Sequence, residues 1–143
     1  MDVLFLDANV LFSAAYSAGS RLQLLWEIPA VELVTSTYAV EEARRNLPQE
    51  EQRQRLEALL RQTRLVAEAG FAVLPDDVLL PQKDQPILSA AIAAEATHLI
   101  TGDRTHFGAW FGKRIGNLLV LPPAVYINKR FEQEQERKIS EPG

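Results

Sequence analysis

The chain alternates short apolar runs with longer segments in which apolar residues recur at helical spacing. The apolar runs lie at residues 3–6, 31–35, 71–74, 98–101 and 118–121. Each run is short and is bounded by polar or turn-forming residues, which favours a buried β-strand over a helix. The pattern therefore predicts five strands distributed along the chain.

Helical periodicity fills the intervals between these runs. The longest signal covers residues 49–69, where leucines form one stripe and charged residues occupy the other faces. Proline, glycine and potential capping residues mark the ends of the shorter helices. The predicted helices cover residues 8–17, 20–27, 37–46, 49–69 and 86–96, and a last helix opens at Pro122 and Pro123 before a polar tail at 132–143.

The order of these elements predicts the class of fold. Strands that alternate with helices favour an α/β three-layer sandwich, because the crossover helices cover both faces of a parallel sheet. We expect a central, mainly parallel sheet of about five strands. Neither an internal repeat nor a linker interrupts the chain, so we expect a single domain over residues 1–131, followed by the polar C-terminal tail.

Composition narrows the chemistry that such a domain can carry. The chain has 143 residues and contains two histidines and no cysteine, so a metal centre must be built mainly from carboxylates. Its net charge of −4 argues against a protein that coats nucleic acid through bulk positive charge. The N-terminus lacks the pattern of a signal peptide and no apolar run approaches a membrane span, so we expect a cytoplasmic protein without membrane contact.

Acidic residues follow two of the predicted strands. Asp7 comes directly after the strand at 3–6, and Asp103 follows the strand at 98–101. Glu42 and Asp84 lie early in helices that start from the same edge, where parallel sheets bind their ligands. Each residue also has a simpler explanation: Asp7 and Asp84 as helix caps, Asp103 as a turn residue and Glu42 as a surface charge. Four like charges at one edge are costly unless a cation lies among them.

These positions belong to an ordered series of motifs. The series consists of Leu6-Asp7-Ala8-Asn9-Val10-Leu11, Ser36 followed by Glu42, Asp84 followed by Ile87-Leu88 and Ala90-Ala91, and Leu99-Ile100-Thr101-Gly102-Asp103. Over roughly residues 1–125 it resembles the PIN-domain ribonuclease family, which includes the toxin components of many toxin–antitoxin pairs. The resemblance implies a PIN-like nuclease domain at 1–131 whose acidic pocket binds Mg²⁺ or Mn²⁺ and hydrolyses phosphodiester bonds of RNA.

The resemblance also assigns roles to single residues. By motif position, the acidic residues of the family correspond to Asp7, Glu42, Asp84 and Asp103, which would hold the metal, with Asn9 and Thr101 supporting them through hydrogen bonds. Two departures affect this assignment. Glu41 is adjacent to Glu42, so a slip of one residue would exchange their roles. His106 lies in the segment where many members carry a further acidic residue, and we expect a structural role for it in the loop.

The resemblance leaves partners and alternatives open. It implies an RNA substrate, a small antitoxin that masks the site, and a homodimer. The candidate phosphate contacts are Arg44, Arg45, Lys83, Arg104, Lys113 and Arg114. One alternative is a haloacid-dehalogenase-type phosphatase, whose opening also resembles residues 3–11, although Asn9 cannot act as the general acid that such an enzyme needs. The other alternative is a catalytically silent PIN-like module that only binds a partner.

Overall fold

A mostly parallel sheet forms the centre of the protein. The computed structural model describes residues 1–67 and 80–140. The strands in these residues are β1 (Asp2–Leu6), β2 (Val31–Ser36), β3 (Arg64–Val66), β4 (His98–Ile100), β5 (Arg114–Ile115) and β6 (Leu118–Leu121). Within the described ranges they form one six-stranded sheet in the order β3-β2-β1-β4-β6-β5. All neighbouring strands are parallel except β5 and β6, which form an antiparallel hairpin.

Helices cover this sheet, as the alternation of elements predicts. They are α1 (Ala8–Tyr16), α2 (Thr37–Asn46), α3 (Glu50–Leu60), α4 (Gln85–Ala93), α5 (Arg104–Phe107) and α6 (Pro123–Ser140), with 3₁₀ helices at Arg21–Glu27, Gln82–Asp84 and Gly108–Trp110. The chain moves from β1 towards β3 and then returns past β1 to β4 and β6. Because parallel crossovers are right-handed, connections that run in opposite directions place their helices on opposite faces of the sheet.

The central strand β1 determines which residues meet at the edge of the sheet. Leu4, Phe5 and Leu6 are fully buried, and β1 pairs in parallel with both β2 and β4. Leu6 lies opposite Ile100, so the residues that follow β1 and β4 leave the sheet side by side. Parallel pairing with β2 brings the start of α2 to the same edge. The predicted acidic positions therefore come from elements that share one end of the sheet.

The predicted helix at 49–69 is wrong in its second half. The helix α3 ends at Leu60, and the chain turns so that β3 pairs with β2. The hydroxyl of Thr63 donates to the carbonyl of Leu59 at 2.8 Å and closes this turn. Sheet pairing has overridden helical periodicity, which the sequence pattern alone could not reveal. The predicted strand at 71–74 lies outside the described residues.

Other boundaries also differ from the pattern. The segment at 20–27 forms a 3₁₀ helix rather than an α-helix. The hydroxyl of Ser20 caps it by accepting from the backbone N–H of Leu22. The strand β5 was not predicted, and its hairpin with β6 contains Gly116 at φ +62°, a conformation that favours glycine. The helix α6 continues to Ser140 through most of the predicted polar tail. Among the described residues, no helix has both the length and the apolar character needed to cross a bilayer.

A buried tyrosine attaches α6 to the amino end of the sheet. The hydroxyl of Tyr126 donates to the carboxylate of Asp2 at 2.6 Å and accepts from the guanidinium of Arg130 at 2.9 Å. Arg130 also donates to the carbonyl of Pro29 at 2.8 Å. These contacts link the last helix, the first strand and the loop before β2.

Removal of this hydroxyl should destabilise the protein. We expect Tyr126→Phe to lower the free energy of unfolding by about 1–2 kcal/mol, since two partly buried hydrogen bonds are lost. Urea unfolding followed by circular dichroism measures this change. Tyr16→Phe is the matched control, because Tyr16 is largely exposed, and it should change the free energy by less than about 0.5 kcal/mol. Equal effects of the two substitutions would contradict the assignment.

Candidate active site

An open cavity lies at the carboxyl end of the sheet, where α/β proteins bind their ligands. Its volume is about 480 Å³. The lining consists of Asp7, Ala8, Asn9, Phe12, Glu42, Ala43, Asn46, Lys83, Asp84 and Asp103. The structure therefore brings together the four acidic residues that sequence motifs selected, although they are spread over almost 100 positions of the chain.

Asp7 is the most deeply buried of these carboxylates, with 4% of its surface exposed. It is the N-cap of α1, where its Oδ1 accepts from the backbone N–H of Ala8 at 2.7 Å. Its Oδ2 accepts from the hydroxyl of Thr101 at 2.8 Å and from the amide of Asn9 at 2.9 Å. Two donors therefore fill Oδ2, while Oδ1 has one donor among the described residues and retains capacity for a further ligand.

Asn9 and Thr101 connect the ends of β1 and β4. The side-chain oxygen of Asn9 accepts from the backbone N–H of Gly102 at 2.8 Å. The hydroxyl of Thr101, which donates to Asp7, accepts from the backbone N–H of Asp103 at 3.2 Å. A Cβ atom at Gly102 would lie 3.3 Å from the Asn9 oxygen. Because that contact is tight, the close approach of Asn9 favours glycine at this position. This network holds the two predicted strand-end aspartates in a defined relation.

His106 lies between two of the carboxylates. Its Nδ1 is 2.7 Å from Oδ2 of Asp84 and 2.9 Å from Oδ2 of Asp103. The backbone N–H of His106 also donates to Oδ1 of Asp103, which is the N-cap of the short helix α5. In the residues that the structure describes, Nδ1 of His106 and Oδ2 of Asp84 are buried without a hydrogen bond of acceptable geometry. The two atoms nevertheless lie within ion-pair distance of each other.

These residues fit a divalent cation. Asp84, Asp103 and His106 each offer a ligand atom, and the three atoms lie within 4.8 Å of one another. Buried polar atoms without hydrogen bonds are costly, and a cation among them would satisfy two such atoms at once. Carboxylate oxygens are the ligands that hard divalent cations prefer. The free capacity of Asp7 adds a fourth donor on the lining of the same cavity.

The two adjacent glutamates differ in their surroundings. Glu42 is half-buried and lines the cavity. Glu41 is exposed and forms an ion pair with Arg44 at 3.0 Å on the surface of α2. The geometry therefore favours Glu42 over Glu41 as the residue that faces a ligand, and its role there stays a prediction.

Burial dominates the electrostatics of the site. It raises the pKa of Asp7 from 3.8 to about 6, against the hydrogen bonds from Thr101 and Ala8, and the charges of Asp84 and Glu42 add smaller contributions. Burial also raises the pKa of Asp84, an effect that the nearby charges of His106 and Lys83 oppose. Desolvation therefore exceeds mutual repulsion as the main cost of these charges.

The site also includes residues that the motifs do not select, in the lining of the cavity or beside its carboxylates. His106 was expected to have a structural role, yet it contacts Asp84 and Asp103, and its position three residues after Asp103 was the available signal. Phe12 and Asn46 also line the cavity, and the sequence pattern does not predict this. Of the candidate phosphate contacts, Lys83 belongs to the lining that the described residues form.

The other candidate cations are arranged differently. Arg44 forms ion pairs with Glu57 and Glu41, so its charge is largely compensated. Arg114 lies in the hairpin strand β5 at the edge of the sheet, where it donates to the carbonyl of Asn117. Their proposed contact with a phosphate has less support than that of Lys83.

A mostly parallel α/β domain with an acidic cavity at its carboxyl edge matches a known family. The family model of the PIN domain matches residues 3–105, and the chain belongs to this family. A similar solved fold is the crystal structure of VapBC2 from Rickettsia felis bound to a DNA fragment from their promoter, with a TM-score of 0.62 and 17% identity over 84% of this chain and 98% of that chain. At this identity the similarity concerns the fold alone. No curated protein is significantly similar to the chain in sequence.

The raised pKa of Asp7 predicts an inverted pH dependence of stability. Because its pKa is higher in the folded state, the folded protein binds this proton more tightly, and the free energy of unfolding falls as the pH rises from 3.8 through about 6. This contribution amounts to about 3 kcal/mol and is lost fully above the folded pKa. In EDTA, we expect Asp7→Asn to gain stability relative to the parent by about that amount between pH ~4 and ~7.5.

Urea unfolding of parent and variant across this pH range checks the prediction. The difference between the two proteins isolates Asp7, because other titrating groups contribute to both. Glu132→Gln, at an exposed position of α6, is the control and should change the free energy of unfolding by less than about 0.5 kcal/mol. A pH-independent difference for Asp7→Asn would mean that its pKa is the same in both states.

Proposed function

We propose that the protein is a metal-dependent ribonuclease that hydrolyses phosphodiester bonds of RNA, and that it acts as the toxin of a toxin–antitoxin pair. The observation that carries this proposal is the convergence of Asp7, Glu42, Asp84 and Asp103 on one cavity. Membership in the PIN-domain family supports it, since nuclease activity is the general activity of that family. The buried polar atoms of Asp84 and His106 add a physical reason for a cation.

The proposed metal ligands are Asp84, Asp103 and Asp7, with His106 beside them. A bound Mg²⁺ or Mn²⁺ would supply positive charge that activates water and stabilises the attacked phosphate and the leaving oxygen. Oδ1 is the atom through which Asp7 would bind, because Oδ2 already accepts from Thr101 and Asn9. These two residues would orient the carboxylate, as outer partners of metal ligands commonly do.

The other residues of the cavity have separate proposed roles. Glu42, which is half-buried, would orient the attacking water and accept its proton. The ammonium group of Lys83 would compensate the charge of the substrate phosphate. The hydroxyl of Tyr38 donates to the carbonyl of Lys83 at 2.9 Å and so fixes the backbone from which this side chain extends.

The proposed partner is a small antitoxin protein. The family resemblance implies that such a partner masks the acidic cavity, and the similar solved fold comes from a VapBC2 structure. A homodimer remains a prediction from the family resemblance. The phosphatase alternative loses support, because the Asn9 amide is committed to Asp7 and Gly102 and the chain belongs to the PIN-domain family.

Cleavage of labelled RNA with Mn²⁺, Mg²⁺ or EDTA tests the activity. We expect cleavage with either metal and none in EDTA, and a loss of at least about 100-fold for Asp7→Asn and Asp103→Asn, since even outer partners of metal ligands cost about 10–100-fold. Circular dichroism confirms that the variants are folded. Full cleavage by either variant would exclude the site, and a folded parent that binds RNA without cleaving it would favour the silent module.

The adjacent glutamates provide a matched pair of variants. Glu42→Gln should strongly reduce cleavage, because the amide cannot accept a proton from water. Glu41→Gln should change it by no more than about twofold, as expected of an exposed surface substitution. If the order of the two effects is reversed, the register of the proposed site on α2 is wrong by one residue.

Binding of the cation should also be visible without RNA. A free Mn²⁺ concentration about 100 times its dissociation constant stabilises the folded state by about 2.7 kcal/mol. For a domain of this size we expect a rise in melting temperature of about 5–10 °C. Asp103→Asn should reduce this shift, whereas Glu41→Gln should retain it. A parent whose melting temperature is the same in Mn²⁺ and EDTA would contradict the proposed metal site.

A further inference from the structure

An aromatic pair leads from the acidic cavity along α1 into solvent. Phe12 lines the cavity and packs partly against the core. Tyr16 lies one turn further along the helix, with 52% of its surface exposed. The two ring centroids are 5.3 Å apart at an interplanar angle of 44°. Residues four apart lie on the same face of a helix, so the rings form one continuous apolar surface.

Core packing explains only part of this arrangement. Phe12 is half-buried, and its inner side contributes to the hydrophobic core. Tyr16 is exposed, so burial does not account for its ring. A single exposed aromatic residue is ordinary in a protein surface. This one extends a ring that already lines the cavity with the carboxylates, which makes the surface continuous with the proposed catalytic site.

A cation lies beside the outer end of the pair. The Nε of Arg55 donates to the carbonyl of Ala15 at 3.0 Å, which attaches this guanidinium to the last turn of α1. Gln52 donates to the carbonyl of Tyr16 at 3.2 Å and holds the same turn against α3. Across residues 1–67 and 80–140, Arg55 has no carboxylate within ion-pair distance. The guanidinium is therefore held at the helix turn that carries Tyr16, with no compensating carboxylate among these residues.

We propose that Phe12 and Tyr16 form a base-stacking platform, with Arg55 contacting a backbone phosphate, that positions single-stranded RNA for entry into the acidic cavity. This inference rests on the proposed ribonuclease function and adds the residues that would hold the RNA strand. Aromatic rings stack on any base, and neighbouring cations hold the phosphates of a single strand. A duplex keeps its base faces within the stack and cannot offer them to the platform. The two aromatic residues are positioning residues rather than catalytic ones.

Binding of RNA in EDTA tests the platform without cleavage. The probe is a short single-stranded RNA that carries a fluorescent adenine analogue, whose emission is quenched by stacking. We expect Tyr16→Leu and Phe12→Leu to weaken binding by about tenfold each and to reduce quenching, a change that corresponds to about 1.4 kcal/mol. Tyr16→Trp should retain both properties, because it keeps an aromatic face.

Two comparisons make this measurement specific. Phe131→Leu is the matched control, since Phe131 is an aromatic residue of α6 with 45% exposure and does not line the acidic cavity. It should bind the probe like the parent protein. The same RNA in duplex form should bind more weakly, with equal affinity for the parent and Tyr16→Leu. Arg55→Gln should reduce the slope of log affinity against log salt concentration by about 1, as expected for the loss of one phosphate contact.

Cleavage kinetics give an independent readout. We expect Tyr16→Leu to raise KM about tenfold while kcat stays within about twofold, because the platform contributes binding away from the reacting phosphate. If the parent fails to cleave RNA, the proposed function is wrong, but the binding measurement still decides on the platform. If Tyr16→Leu binds and cleaves RNA like the parent, the platform is wrong. Weaker binding of a protein partner with unchanged RNA affinity would likewise overturn it.

Discussion

The buried hydrogen bond between Asp7 and Thr101 is the interaction on which the acidic site depends. It joins the residue after β1 to the residue after β4 at 2.8 Å, in a position where both residues are buried. Such a bond requires that the two strands run parallel and end at the same level, as the pairing of Leu6 with Ile100 provides. The pairing of β1 with β4 therefore also determines where the side chain of Asp7 lies in the site.

The cost of this arrangement explains its remaining features. Burial raises the pKa of Asp7 to about 6, because desolvation disfavours its ionised carboxylate. Donors from Asn9, Thr101 and the start of α1 offset part of that cost. His106 contacts both Asp84 and Asp103. Among the described residues, however, its Nδ1 and the Oδ2 of Asp84 have no hydrogen bond of good geometry. The site is thus organised around negative charge that the protein alone compensates only in part.

The correct and the wrong predictions of strands and helices have a common physical origin. Short apolar runs located β1, β2, β4 and β6, because a buried strand requires consecutive apolar residues. The same reasoning extended a helix over residues 49–69, since its apolar stripe continues beyond Leu60 where the structure begins a turn. The strand that follows is set by pairing with β2, a contact between distant segments that local periodicity does not encode.

At the site, the local pattern predicts which acidic residues follow the strands and begin the helices at one edge, because parallel strands align their carboxyl ends. Only the tertiary structure decided that Glu42 rather than Glu41 faces the cavity, and that His106 lies between two carboxylates. It also places the rings of Phe12 and Tyr16 next to each other on α1. These outcomes depend on helix orientation and on packing between segments far apart in the chain, whereas strand ends follow from the local pattern of apolar residues.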